Sequence, residues 1–151
     1  MISDTDWMAV ALEQARLAAS LGEVPVGAVV VRNDSPISMA HNRREGDNNP
    51  VAHAEVLAIQ AASAHLGSWR LTDTTLYVTL EPCPMCAGAI LLARIPRVVY
   101  AATDPKAGAV DSLYCLLRDH RLNHRSEVTA GVLWKESREL LQSFFRSRRE
   151  K

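Results

Sequence analysis

The chain has 151 residues, of which 48% are hydrophobic and 23% are charged, and its formal net charge is zero. This composition is typical of a globular domain and excludes a disordered or low-complexity chain, so we predict a single domain over residues 1–151. No apolar run is long enough to span a membrane, and the first residues lack the basic and apolar parts of a secretion signal. Three cysteines do not suggest a disulfide framework. We therefore expect a cytoplasmic protein with no membrane segment.

Hydrophobic periodicity predicts an α/β chain. In chain order, the predicted elements are a helix with apolar positions from Trp7 to Ala19, a hairpin of strands Val24–Val31 and Ile37–His41, a helix at about Ala52–His65, a strand Thr75–Leu80, a helix that ends near Arg94, a strand Arg97–Ala101, a loop over 103–111, a short helix near Ser112–Leu117 that buries Cys115, a strand Glu127–Leu133 and a final helix Lys135–Arg148. This order predicts a mixed five-stranded sheet with helices on both faces, a three-layer αβα sandwich.

The charges are distributed unevenly. Residues 118–151 carry nine Lys or Arg and five Asp or Glu, whereas residues 1–117 carry eight and twelve. Much of the basic excess lies at the end of the chain, at Arg146, Arg148, Arg149 and Lys151. From charge alone, this run is either a solvated helix face or a patch that contacts phosphate groups.

Two short motifs suggest a metal site. Cys83 and Cys86 stand three residues apart between a predicted strand and a predicted helix, and His53 supplies a third ligand. Three protein ligands leave the fourth position of a zinc ion to water, as in catalytic zinc sites. Glu55 lies about 200° around a helix from His53, so both side chains reach one point only beyond the helix N-terminus. The motifs therefore predict a hydrolytic zinc site with Glu55 as its proton carrier.

Two other interpretations of the cysteine pair remain open at this point. A structural zinc site would need a fourth ligand, and the only further cysteine, Cys115, stands alone in a leucine-rich run. A redox-active Cys-x-x-Cys pair would not explain why a histidine and a glutamate stand two residues apart upstream.

Several segments together resemble the bacterial tRNA-specific adenosine deaminases, which belong to the cytidine-deaminase-like superfamily. The similar segments, which extend over nearly the whole chain, are Glu23–Ala28, His41–Arg43, His53–Glu55, Thr79–Ala89, Asp104–Ala109 and Phe144–Arg149. The resemblance implies a cytidine-deaminase-like fold and a homodimer with one Zn²⁺ per subunit. It also implies hydrolysis of the wobble adenosine to inosine in a tRNA anticodon stem-loop, typically that of arginine tRNA.

The predicted site residues follow from the motifs and the resemblance together. His53, Cys83 and Cys86 are expected to hold the metal, and Glu55 to transfer protons. Asn42 both donates and accepts hydrogen bonds, which suits the polar edge of a purine. The other residues expected to contact substrate are Ala54, Val26, Asp104, Lys106, Arg146, Arg148 and Arg149.

Two other functions are considered beside this one. A deaminase of a free base or nucleoside, such as guanine or cytosine, would share the metal motif but would have no use for a basic terminal helix. A zinc-stabilised RNA-binding domain without enzymatic activity would have no need of Glu55.

Three positions depart from the pattern of the similar family: Val51, Pro105 and Asp111. Asp111 is expected to place a negative charge beside a loop that meets phosphate. No role is predicted for His120 or His124.

Overall fold

The structure, a computed structural model, describes residues 1–149. Lys151, counted above in the basic tail, lies outside the described residues. The helices are α1 (Asp4–Ser20), α2 (Ala54–Leu66), α3 (Pro84–Leu92) and α4 (Trp134–Arg149), with a single 3₁₀ turn at Leu116–Arg118. The strands are β1 (Gly27–Arg32), β2 (Ser35–His41), β3 (Thr74–Leu80), β4 (Arg97–Ala102) and β5 (Glu127–Ala130).

The strands form one sheet in the order β2-β1-β3-β4-β5. Strand β1 pairs antiparallel with β2 and β3, whereas β3 with β4 and β4 with β5 pair in parallel. The predicted mixed five-stranded sheet is confirmed. Since β3 and β4 are parallel, both strands end at the same edge of the sheet, where the metal motif follows β3.

A layer of helices packs on each face of the sheet, which confirms the three-layer sandwich. One apolar cluster joins α2 and α3 to the sheet through residues such as Ala58, Ile90 and Val78. The other joins α1 to the opposite face through Trp7 and Met8. Helix α4 packs on β3 and β4, and the Ser137 hydroxyl donates a 2.5 Å hydrogen bond to the Thr79 carbonyl.

Strand β1 begins at Gly27, three residues later than predicted. Pro25 has no N–H to donate, and the Val26 N–H bonds to the Val24 carbonyl in a tight turn, so neither residue donates a backbone hydrogen bond to the sheet. Gly27 itself lies against α1, because a Cβ there would lie 2.0 Å from the Ala11 carbonyl oxygen. Only glycine allows this close packing of helix and strand.

The prediction of a buried Cys115 in a short helix is wrong. Cys115 is exposed, and the helix reduces to the 3₁₀ turn at Leu116–Arg118. The preceding residues bond back to the 104–109 loop instead, through Leu113 N–H to the Gly108 carbonyl and Leu116 N–H to the Ala109 carbonyl. The leucine-rich composition predicted burial, but only Leu117 of the run is fully buried.

None of the helices within residues 1–149 is both long enough and apolar enough to cross a membrane.

Candidate active site

Two helix N-termini meet at the carboxyl end of β3. His53 is the N-cap of α2 and Cys83 is the N-cap of α3, and each has an extended backbone. Neither side chain caps its own helix, so each is directed to a shared point instead. Pro84 occupies the start of α3, where proline is tolerated because the first N–H has no partner within the helix.

Helix α2 begins at Ala54, two residues later than predicted. Ala52 and His53 are held in turns, with the His53 N–H bonded to the Val51 carbonyl at 2.8 Å. His53 therefore precedes the helix, and Glu55 lies in its first turn. If both lay within the helix, their side chains would be about 200° apart, but at its N-terminus both can face one point.

The three predicted ligands form a cluster whose dimensions fit zinc. The atom Nδ1 of His53 lies 3.6 Å from the Cys83 sulfur and 3.5 Å from the Cys86 sulfur. Tetrahedral zinc with ordinary Zn–S and Zn–N bonds separates these atoms by about 3.6 Å. Within residues 1–149 no fourth His, Cys, Asp or Glu joins the cluster, and Cys115 lies outside it. The donor set is compatible with zinc, and with three ligands it lacks the fourth that closed structural zinc sites have.

The two sulfurs and the imidazole interact closely with one another. A hydrogen bond from the Cys86 thiol, reinforced by His53, lowers the pKa of Cys83 to about 4. The bond to Cys83, together with burial, raises the pKa of Cys86. The Cys83 thiolate in turn raises the pKa of His53. The lowered pKa of Cys83 favours the thiolate, which is the form that binds a metal.

Glu55 lies beside this cluster and is almost completely buried, with 4% of its surface exposed. Burial raises the pKa of its carboxyl group to about 7. A carboxyl group with this pKa accepts and releases protons with equal ease near neutral pH, which suits a general acid–base catalyst.

A cavity of about 150 Å³ opens onto the cluster and Glu55. It contains seven of the predicted site residues: Val26, Asn42, His53, Ala54, Glu55, Cys83 and Asp104. Cys86 lies behind them and is fully buried. We call this cavity the base pocket, because its size suits a planar heterocycle.

Asn42 lies in the wall of the base pocket and is held by its neighbours. Its side-chain amide donates to the Val24 carbonyl at 3.2 Å, and its side-chain oxygen accepts the Arg44 N–H at 3.1 Å. One N–H of the amide and further acceptor capacity on its oxygen remain for a ligand.

The other four predicted contact residues lie in a neighbouring groove, not in the base pocket. This cationic groove has a volume of about 730 Å³, and the basic side chains that line it are Lys106, Arg138, Arg146, Arg148 and Arg149. A third cavity, of about 250 Å³, lies beside both. It shares Asn42 and Arg44 with the base pocket and Phe145 and Arg148 with the groove.

Sequence reasoning missed several lining residues. The charged ones are Arg44, Glu81 and Arg138. The others are Val24, Leu80 and Ala107 in the base pocket and Leu141, Gln142 and Phe145 in the cationic groove. Arg138 was detectable, because it stands 4, 7 and 11 residues before Gln142, Phe145 and Arg149 on one face of α4. Arg44 carried no local signal, since its position depends on how the loop after β2 folds.

Other positions discussed above lie away from the base pocket. His124 bonds to the Ile95 carbonyl at 2.8 Å, whereas His120 is exposed. Asp111 accepts a 2.5 Å hydrogen bond from the Tyr100 hydroxyl and pairs with Arg118. The expected unfavourable charge is therefore balanced by a neighbouring arginine.

A mixed α/β sheet with a His–Cys–Cys cluster and a buried glutamate at its strand ends defines the class of cytidine-deaminase-like hydrolases. Comparison with known proteins agrees, since residues 2–149 match the family model of MafB19-like deaminases. The chain is 50% identical to the tRNA-specific adenosine deaminase of Bacillus subtilis (strain 168), over 100% of this chain and 94% of the relative. The chain therefore belongs to the tRNA-specific adenosine deaminase family and is an enzyme.

Solved structures are also similar to this chain, among them two of deaminases. One comes from a study of A-to-I editing by tRNA:A34 deaminases at the wobble position of transfer RNA. It has 44% identity and a TM-score of 0.87, covering 91% of this chain and 99% of that one. The other is guanine deaminase from Bacillus subtilis, with 41% identity and a TM-score of 0.64, covering 68% of this chain and 66% of that one.

Proposed function

We propose that this enzyme converts the wobble adenosine of a tRNA anticodon loop to inosine, with arginine tRNA as the substrate and the cytoplasm as its location. The observation that carries the proposal is that two sites lie side by side. A base-sized pocket with a buried glutamate and a groove lined by five basic side chains each share lining residues with a third cavity that contains Arg44 and Phe145. A free base would need only the first of these sites.

His53, Cys83 and Cys86 would hold one Zn²⁺ per subunit, with the donor atoms spaced as described above. The ion would supply Lewis acidity, which lowers the pKa of a coordinated water. The two helix N-termini add a partial positive charge at the same point, which favours the thiolate ligands and any anion formed there.

Glu55 transfers the protons of the reaction. The carboxylate accepts a proton from the attacking water and delivers it to N1 of adenine as the oxygen bonds to C6. Glu55 then takes the proton of the new C6 hydroxyl and passes it to N6, the C6–N6 bond breaks as the C6 carbonyl forms, and ammonia leaves. Water and adenosine thus become inosine and ammonia, and Glu55 regains its starting state.

The walls of the base pocket would orient the purine. Asn42 offers an N–H and an acceptor oxygen to the purine edge. Ala54 lies at the start of α2, where the first backbone N–H groups have no partner within the helix, and Val26 provides an apolar surface. Asp104 also lines the pocket and would contact the ribose of the same nucleotide.

A hairpin loop supplies its bases unpaired, so little energy is spent on removing the adenosine from a stack. Phosphates that flank the adenosine would then lie along the cationic groove, near Lys106 and the arginines of α4.

A homodimer is part of the proposal. The surface between α2 and α3 leaves Trp69 and Leu92 exposed at 57% and 71% beside Val56 and Ala89. Apolar side chains grouped in this way are typical of a surface that is covered in an assembly.

Removing the cations of the groove should weaken RNA binding without affecting the metal. For the variant with Arg146, Arg148 and Arg149 all replaced by alanine, we expect the affinity for a stem-loop to fall and its salt dependence to flatten. Each lost phosphate contact reduces the slope of log K against log salt by about 0.7 for single strands, hence by about 2 in total. Binding is measured by fluorescence anisotropy between low and moderate salt, and zinc content by atomic absorption.

A control variant with Arg16, Arg32 and Arg70 replaced by alanine loses the same charge outside the groove and should keep the parent slope. Equal slopes for the groove variant and the parent enzyme would show that these arginines do not contact phosphate.

One assay tests the proposed substrate. The zinc-loaded protein is offered an anticodon stem-loop with adenosine at the wobble position, then free adenosine, guanine and cytosine, and inosine and ammonia are measured. We expect turnover of the stem-loop and none of the free compounds at matched concentration. Guanine is the second candidate, favoured by the similarity to the guanine deaminase, and its turnover in place of the stem-loop would replace the proposal. Binding of the stem-loop with no ammonia released would instead indicate a zinc-stabilised RNA-binding domain.

A further inference from the structure

The carboxylate of Glu81 lies under the loop that borders one side of the base pocket. It is buried, with 2% of the residue exposed, and it accepts five hydrogen bonds. One oxygen receives the Asp104 N–H at 2.9 Å and the Ser112 hydroxyl at 2.5 Å. The other receives the N–H groups of Val110, Asp111 and Ser112 at 3.1, 2.8 and 2.9 Å. Both oxygens are thus committed to the loop.

The loop backbone rests directly on this carboxylate. A Cβ at Gly108 would lie only 2.3 Å from the Glu81 carboxyl carbon, so no side chain fits between them. The same loop carries Asp104 and Ala107 into the base pocket and Lys106 into the cationic groove. The position of Glu81 therefore fixes the position of those three residues.

A second buried carboxylate holds the loop on the other side of the pocket. Glu23 has 3% of its surface exposed and accepts the N–H groups of Glu45 and Gly46 at 2.9 and 2.6 Å. This loop contributes Asn42 and Arg44 to the base pocket. Glu23 thus holds the 42–49 loop by hydrogen bonds, as Glu81 holds the 104–112 loop.

We propose that Glu23 and Glu81 are positioning residues that hold the two loops beside the base pocket in their binding geometry, and so set the affinity for the RNA loop. The inference rests on the proposed function. The residues assigned above to metal binding and proton transfer lie at the starts of α2 and α3, outside both loops. If the loops are loosened, RNA must order them when it binds, and the free energy of that ordering is lost from the affinity. We therefore expect KM to rise and kcat to stay nearly unchanged.

Glutamine is the sharpest replacement, because it has the shape of glutamate. Its amide N–H₂ would face backbone N–H donors, so at least one donor in each loop loses its acceptor. Steady-state kinetics on the wobble stem-loop are compared for Glu81→Gln, Glu23→Gln and Glu136→Gln, with kcat expressed per bound zinc. Glu136→Gln is the control, because Glu136 is exposed and lines none of the three cavities described above. Losing a hydrogen bond to a charged group costs enough binding energy to raise KM about tenfold, so we expect that rise for both Glu81→Gln and Glu23→Gln. The value of kcat should stay within about twofold of the parent value. Glu81→Asp keeps the charge and should give a KM between those of the parent and Glu81→Gln.

A KM within about twofold of the parent value for either glutamine variant overturns the proposal for that residue. A residue that only supports the fold would lower the folded, zinc-loaded fraction, which the normalisation to zinc removes, and would leave KM unchanged. If Glu81→Gln does not fold, Ser112→Ala removes a single bond to Glu81, and the same criterion applies to it. Failure of the parent enzyme to convert the stem-loop would refute the proposed function itself, and that measurement comes first.

Discussion

Replacing Glu55 by glutamine is expected to reduce turnover of the stem-loop by about 10²–10⁴-fold, the range that general acid–base catalysis contributes. Glutamine keeps the shape of the side chain but can neither accept the proton of water nor deliver one to adenine. Glu55 is buried in the base pocket, and burial raises its pKa to about 7, which suits proton transfer near neutral pH. Initial rates of ammonia release measure the effect.

Zinc content must be measured on the same preparation. Glu55 is not one of the three clustered ligands, so the variant should bind as much zinc as the parent enzyme. Glu136→Gln changes an exposed glutamate and should retain the parent rate. Near-parent activity in zinc-loaded Glu55→Gln would remove Glu55 from the mechanism.

Replacing Cys86 by serine is expected to abolish both zinc retention and turnover. Altering a residue that merely orients a ligand costs about 10–100-fold in metal affinity, and removing a ligand should cost more than that. The sulfur of Cys86 lies 3.5 Å from His53 Nδ1 in a fully buried position, so water cannot easily take its place. Zinc is measured by atomic absorption after dialysis against a weak chelator.

Cys115→Ser is the matched control for this experiment. Cys115 is exposed and lies outside the cluster, so its loss should change neither the zinc content nor the rate. If Cys115→Ser lost zinc and Cys86→Ser kept it, the ligand set proposed here would be incorrect.

The metal cluster and the fold were predictable from sequence because their signals are local. Cysteines one helical turn apart after a strand, and a histidine and a glutamate at a helix start, fix their own relative geometry whatever surrounds them. The mixed sheet followed from a β-branched hairpin and later strands that alternate with helices. Element boundaries moved, as at α2, where turns delay the helix until Ala54, and the short helix predicted near Ser112–Leu117 is only a 3₁₀ turn.

The loops beside the base pocket were not predictable in the same way. The 104–112 segment owes its path to hydrogen bonds with Glu81, more than twenty residues away, and the 42–49 segment owes its path to Glu23. No periodicity or turn motif reports such contacts. For the same reason Arg44 was missed as a lining residue and Cys115 was wrongly predicted to be buried.

Titration of metal-free protein with zinc, with ammonia release from the wobble stem-loop recorded at each step, tests the central claim most directly. The three-ligand cluster predicts that activity rises in proportion to bound zinc and stops rising at one ion per chain. Turnover of the stem-loop that is equally fast before zinc is added would contradict it.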